Sequence, residues 1–108
     1  MGLSVTAGEA SGHYRLEGYL DLSTTPGLVD AVASGDGDGR DLVLDCAGLS
    51  FVDSQGIRAF IAIAQATRGG SLRLTELRPE TARVLRLVGL DTFPNIEVRE
   101  AELTRGAG

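Results

Sequence analysis

Lysine is absent from this 108-residue chain, and all ten basic residues are arginine. That removes a phosphate-loop lysine, Schiff-base chemistry and a lysine general base together. Tryptophan is also missing, histidine occurs once and aromatic residues make up only 5%, which leaves few groups for acid–base catalysis or base stacking. With Cys46 as the only cysteine, neither an intrachain disulfide nor a thiolate metal cage can form, and the residue reads as a small hydrophobic side chain. No apolar run nears the roughly 20 residues of a membrane helix, and no charged segment followed by an apolar one opens the chain. The expected compartment is therefore the cytoplasm. Basic residues number ten against fifteen acidic ones, a net charge of −5. Nucleic acid and direct membrane binding both call for the opposite sign.

What is present suits one ordinary globular domain: 43% hydrophobic and 23% charged residues over residues 1–108. A chain of this size buries about two-thirds of the surface its unfolded form exposes, so it folds without staples. Leu3, Val5 and Ala7 alternate with small or polar residues, and after Gly8 and Gly12 residues 13–19 alternate again, which reads as a hairpin. Ser23-Thr24-Thr25-Pro26 marks a helix start, with Leu28, Val29 and Val32 as its apolar face and Gly35 at its end. Leu42-Val43-Leu44 has the unbroken apolar pattern of a short strand covered on both faces, and a second segment, 49–52, follows Gly48.

From Ile57 the apolar positions Ile57, Phe60, Ile61 and Ala64 have helical spacing, up to Gly69-Gly70. Leu72 and Leu74 alternate as a further strand. Pro79 opens a third helix with Val84, Leu87 and Val88 on one stripe and Gly89 at its end. Ile96 and Val98 fit a last strand, and residues 100–108 read as a frayed tail. Strands alternating with helices predict an α/β domain with a small, mostly parallel sheet of four to five strands under helical cover. Leu16, Leu42, Leu44, Ile57, Phe60, Ile61, Leu72, Leu74, Val84 and Leu87 are the expected core.

Ser54 stands where an apolar strand passes into the most strongly patterned helix. Asp53 or Ser54 can cap that helix, and equally a phosphate on Ser54 would suit the electropositive helix start. A hydrolase elbow requires glycine two residues before the serine, and Val52 is there; the only imidazole, His13, lies on an early strand. Asp36, Asp38 and Asp41 crowd a glycine-rich loop, but Arg40 and Ala47 stand where a calcium loop needs oxygen ligands, so the loop reads as a solvated turn. No metal and no cofactor is expected. Asp21, taken alone, is a turn or capping residue.

Taken in order, Gly18-Tyr19-Leu20-Asp21, Leu42-Val43-Leu44-Asp45, Phe51-Val52-Asp53-Ser54-Gln55-Gly56 and Val88-Gly89-Leu90-Asp91 with Phe93 resemble the STAS domain over nearly the whole chain, most closely its free-standing bacterial anti-sigma factor antagonists. The resemblance implies a small mixed sheet with helices mainly on one face and no enzymatic activity. It implies a protein that binds an anti-sigma factor serine/threonine kinase and so releases the sigma factor, until phosphorylation breaks the complex and a serine phosphatase restores it. By the same resemblance the phosphoacceptor falls on Ser54, beside Asp53, with Asp21 on the docking surface.

Two positions depart from the family pattern: Gln55 follows the acceptor in place of a hydroxyl residue, and Tyr19 replaces a glutamate. Ser23, Thr24 and Gln55 complete the surface expected around Ser54. Arg58, Ala59, Ala62, Gln65 and Ala66 form a low-charge, small-residue helix face suited to a partner helix. The same fold also serves as a subunit of transporters or signalling complexes without phosphorylation, which is the alternative reading.

Overall fold

The structure, a computed structural model, describes residues 2–33, 41–67 and 69–102. The alternating opening segments form β1 (Leu3–Ala7) and β2 (His13–Leu20), paired antiparallel from Leu3 opposite Gly18 to Ala7 opposite Tyr14. Gly12 sits in the turn at φ +82°, where a Cβ would come within 2.5 Å of the Asp41 carbonyl oxygen. Then follow α1 (Thr25–Ala33), β3 (Asp41–Val52), α2 (Ser54–Ala66), β4 (Ser71–Leu77), α3 (Pro79–Leu87), a single 3₁₀ turn (Leu90–Thr92) and β5 (Ile96–Glu100).

The strands lie side by side in chain order, and every pair after the first is parallel. Parallel crossovers are right-handed as a rule, and a sheet that grows in one direction by such steps collects all its helices on one face. Accordingly Leu28 of α1, Phe60 and Ile63 of α2, and Ala82 and Leu85 of α3 share one core with Leu16, Leu44, Leu72, Leu74 and Ile96 of the strands. The alternate strand residues line an uncovered, charged face, where Arg73 and Glu97 pair at 3.2 Å. The expected α/β class, with a small mixed sheet and one helical layer, is what the structure has.

Several local expectations are corrected. β3 is one twelve-residue strand, not a short strand followed by a separate segment. Its pairing with β2 survives two register shifts, so extra residues bulge out while the ladder continues. Gly48 allows this: a Cβ there would lie 2.6 Å from Glu17 Cγ. In α1, Leu28 is buried but Val29 is exposed.

In α2 the buried residues are Gly56, Ala59, Phe60, Ile63 and Ala64, while Ile57 and Ile61 are only partly buried. The helix is rolled toward its small residues because they permit the closest approach to the sheet. In α3 the expected stripe is the wrong one. Ala82 and Leu85 face the core, and Val84, Leu87 and Val88 are 46%, 75% and 55% exposed. α3 carries two apolar stripes, and the one with the small alanine packs down, while Arg86 on the same helix reaches across to Glu100 on β5. Gly89 does end this helix region, in the left-handed conformation at φ +83°. Of the tail expected over 100–108, Glu100 instead ends β5 and the Ala101 amide donates to the Leu77 carbonyl at 2.8 Å; the rest of it beyond residue 102, the glycine at 35 and the loop at 36–40 lie outside the described residues.

Candidate functional site

The carboxyl ends of β2 and β3 are adjacent: Leu20 is opposite Val52, and the Asp53 N–H donates to the Leu20 carbonyl at 3.1 Å. The next residues, Asp21 and Asp53, therefore leave neighbouring strands side by side. Such strand ends are where open α/β sheets place their functional groups.

Asp53 has extended backbone at φ −102° and ψ −173°, and its Oδ1 accepts from the amides of Gln55 at 2.9 Å and Gly56 at 3.0 Å. It is the N-cap of α2. One carboxylate oxygen thus satisfies two of the amides that a helix start leaves unpaired. Ser54, the first residue of α2, is exposed, and its hydroxyl has no hydrogen bond among the described residues. Of the two residues able to cap, the aspartate does so and the serine is left over. Gly56 brings this helix start down onto the sheet: a Cβ at that position would stand 2.8 Å from Val52 Cγ1 and 2.9 Å from Leu20 Cγ. That role went unread in the sequence, where Gly56 showed only as part of a motif.

The turn after β2 is held by a dense set of hydrogen bonds. Thr24 Oγ1 accepts from the Asp21 amide at 2.9 Å and donates to the Tyr19 carbonyl at 2.8 Å. Ser23 donates to Asp21 Oδ1 from its amide at 3.1 Å and its hydroxyl at 2.8 Å. The Asp21 carbonyl accepts from the amides of Thr24 and Thr25 at 3.1 and 2.9 Å. The Ser23 hydroxyl, more than any other group, holds the Asp21 carboxyl below its ordinary range, against a smaller opposing effect of burial. Ser23 and Thr24 thus serve Asp21 and the turn.

The structure therefore brings Asp21, Ser23 and Thr24 together with Asp53, Ser54 and Gln55. Arg58 and Ala62 continue as exposed residues along α2, with Gln65 and Ala66 beyond them. Ala59 does not belong with them. At 6% exposure it is part of the core, because the roll of α2 that seats Gly56 also turns Ala59 inward. Tyr19 alternates with the buried Leu20, so it lies on the uncovered sheet face, where its ring meets Phe51 at a centroid distance of 6.0 Å. Gln55 is half-buried beside the cap.

His13 is exposed at the opposite end of β2, seven strand residues from Leu20, or about 23 Å at the usual rise per residue. A Ser54–His13 pair does not form. Cys46 is buried, its thiol donates to the Leu44 carbonyl at 3.4 Å, and burial, with a smaller contribution from Asp45, pushes its pKa up to about 12. It behaves as the small apolar residue the sequence suggested. Asp41 Oδ1 accepts from the Ser71 amide and hydroxyl at 3.1 and 3.2 Å, pinning the start of β3 to β4. Among the described residues, no cluster of three His, Cys, Asp or Glu is placed to hold a metal, and no helix is long and apolar enough to cross a membrane.

This fold and strand-end arrangement have a family. Residues 5–103 match the STAS domain model, and the chain belongs to the STAS domain family. Among solved structures it is similar to an anti-sigma factor antagonist from Mycobacterium paratuberculosis, with 24% identity, a TM-score of 0.68, and coverage of 94% of this chain and 87% of that one. It is also similar to murine Solute Carrier 26 family member A9, an anion transporter in its inward-facing state, with 20% identity and a TM-score of 0.61. That match covers 83% of this chain but only 17% of the transporter. No curated protein matches the chain in sequence.

Proposed function

We propose that this protein is a non-enzymatic anti-sigma factor antagonist of the cytoplasm. Unphosphorylated, it binds an anti-sigma factor serine/threonine kinase through Asp21, Ser54 and the exposed residues Arg58 and Ala62, and it is released when Ser54 is phosphorylated; a serine phosphatase reverses the switch. The carrying observation is the division of labour at the start of α2, where Asp53 caps and Ser54 keeps an exposed, unengaged hydroxyl. The match of nearly the whole chain to a free-standing antagonist supports the same reading.

The physics of such a switch is local. A phosphoserine adds nearly two negative charges, which the helix start tolerates, so the domain stays folded. Beside Asp53 and Asp21 those charges face whatever the partner presents. Against a partner carboxylate about 6 Å away, each unit pair costs roughly 3 kcal/mol at an effective dielectric of 20. Mass spectrometry after incubation with the cognate kinase and ATP tests the reading: phosphate is expected on Ser54, with Ser54→Asp losing affinity and Ser54→Ala binding but resisting modification. Phosphate on Ser50, Thr24 or Thr25 with Ser54 unmodified would overturn it.

The likeness to the anion transporter supports a second reading, an interaction module in a transport complex. In that case a membrane transporter, and not a sigma-regulating kinase, co-purifies with the protein.

A further inference from the structure

The turn that follows β2 carries a side chain with no role in the turn itself. Leu22 is 69% exposed, exceeded among the large hydrophobic side chains of the described residues only by Leu87 at 75%. A single exposed leucine is ordinary on a protein surface. Leu22 differs in how it is held and where it stands.

Its backbone is clamped on both sides: Asp21 and Thr24 exchange hydrogen bonds at 2.9 and 3.1 Å, Ser23 is tied to the Asp21 carboxylate at 2.8 Å, and Thr24 is tied back to Tyr19 at 2.8 Å. The leucine is therefore presented from an ordered turn, and burying it against a partner costs little further backbone entropy. It is also the residue after Asp21, at the strand ends where the Asp53 amide is bonded to the Leu20 carbonyl and α2 starts at Ser54. Leu87 is placed differently. It is the last residue of α3, which runs from the carboxyl end of β4 back toward the start of the parallel β5, so it lies toward the amino ends of the strands and away from the ends that carry Asp21 and Ser54.

We propose that Leu22 is the apolar anchor of the partner surface, entering an apolar pocket on the anti-sigma factor kinase next to the region that receives Ser54. The inference rests on the function proposed above. It adds to the charged and hydroxyl residues of that surface the group that supplies apolar burial, and binding energy at interfaces concentrates in a few such desolvated side chains. Asp21 and Ser54 then govern discrimination by charge, while Leu22 holds the complex together.

The test uses the full chain and each purified serine-kinase anti-sigma factor from the same organism, with affinity and dissociation rate measured for wild type, Leu22→Ala, Leu22→Met, Leu87→Ala and Ser54→Asp. Leu22→Ala is expected to weaken binding about tenfold or more through faster dissociation, with an unchanged melting temperature. The loss should persist between about 0.05 and 0.5 M salt, whereas that of Ser54→Asp shrinks as charges are screened. Leu22→Met should stay within about threefold of wild type, since it conserves volume, and Leu87→Ala should have no effect. Leu22→Ala binding like wild type while Ser54→Asp fails overturns the anchor and leaves the proposed function standing. Leu87→Ala weakening the complex as much as Leu22→Ala also overturns the anchor. If neither Ser54→Asp nor Leu22→Ala changes binding, or if wild type binds none of these kinases, the proposed function falls and the anchor with it.

Discussion

Helix α2 enters from β3 with Asp53 bonded to two of its amides and with Gly56 laid against Val52 and Leu20, and it leaves with the Ala64 carbonyl accepting from Asn95 Nδ2 at 2.9 Å. Helix α3 enters from β4 at Arg78, which makes no side-chain cap, and relies on Pro79 to set the first turn. α2 buries five residues, and α3 buries two and leaves Val84 and Leu87, with Val88 just past its end, in solvent. The two helices lie on the same face of the same sheet, yet only the first is pinned at both ends. The difference matters because the pinned helix start is where Ser54 stands. A residue recognised in one orientation, as proposed for Ser54, is best carried on an element with little freedom to roll or fray.

The comparison can be broken most forcefully in the core of α2. Ile63, at 4% exposure, should cost about 2–5 kcal/mol on truncation to alanine, with a clearly smaller loss for the half-buried Ile61. Urea midpoints of the two variants check the roll of the helix, and equal losses would contradict it.

Next comes the seat of the helix start. Gly56→Ala inserts a methyl group at 2.8 Å from Val52 Cγ1, and overpacking of this kind costs roughly 1–3 kcal/mol. The same variant should displace the Ser54 region, visible as amide chemical-shift changes at residues 53–57. Asp53→Ala removes the cap and should lower stability by about 1 kcal/mol, with faster hydrogen exchange at the Gln55 and Gly56 amides. On α3, where the comparison predicts indifference, Leu87→Ala should change the unfolding free energy by less than about 0.5 kcal/mol.

The smallest expected effect is a pH dependence. Asp21 is held below its ordinary value of 3.8 mainly by Ser23. Its contribution is therefore complete above that value and lost as pH falls through the lower folded-state pKa. Asp21→Asn should give a shallower loss of stability than wild type as pH falls below about 4. An identical acid limb in both proteins would show that the Asp21 carboxylate is not stabilised by folding.

Much of the architecture was legible because local chemistry dictates it. Alternation at Tyr14, Leu16, Leu72 and Leu74 marked strands, Pro26, Pro79 and Gly89 punctuated helices, and the strand–helix alternation forced a largely parallel sheet. Asp53-Ser54 at the head of α2 was legible too, as a motif. Which of the two residues caps was not, because either oxygen can reach the same amides and only the extended backbone at Asp53 selects it.

The roll of each helix was equally out of reach. A 3.6-residue period says which side chains share a stripe, but it does not say which stripe meets the sheet. In α2 the close approach permitted at Gly56 decided, and turned Ala59 from an expected surface residue into core. In α3 the stripe of Ala82 and Leu85 won over the larger one. The sequence by itself determined the order and kind of the elements and the residues worth watching. Tertiary structure alone decided that β3 runs unbroken through its bulges, that Asp21 and Asp53 emerge side by side, and that Leu22 is left exposed in the turn after β2. These depend on contacts between segments about thirty residues apart, and no local pattern encodes such contacts.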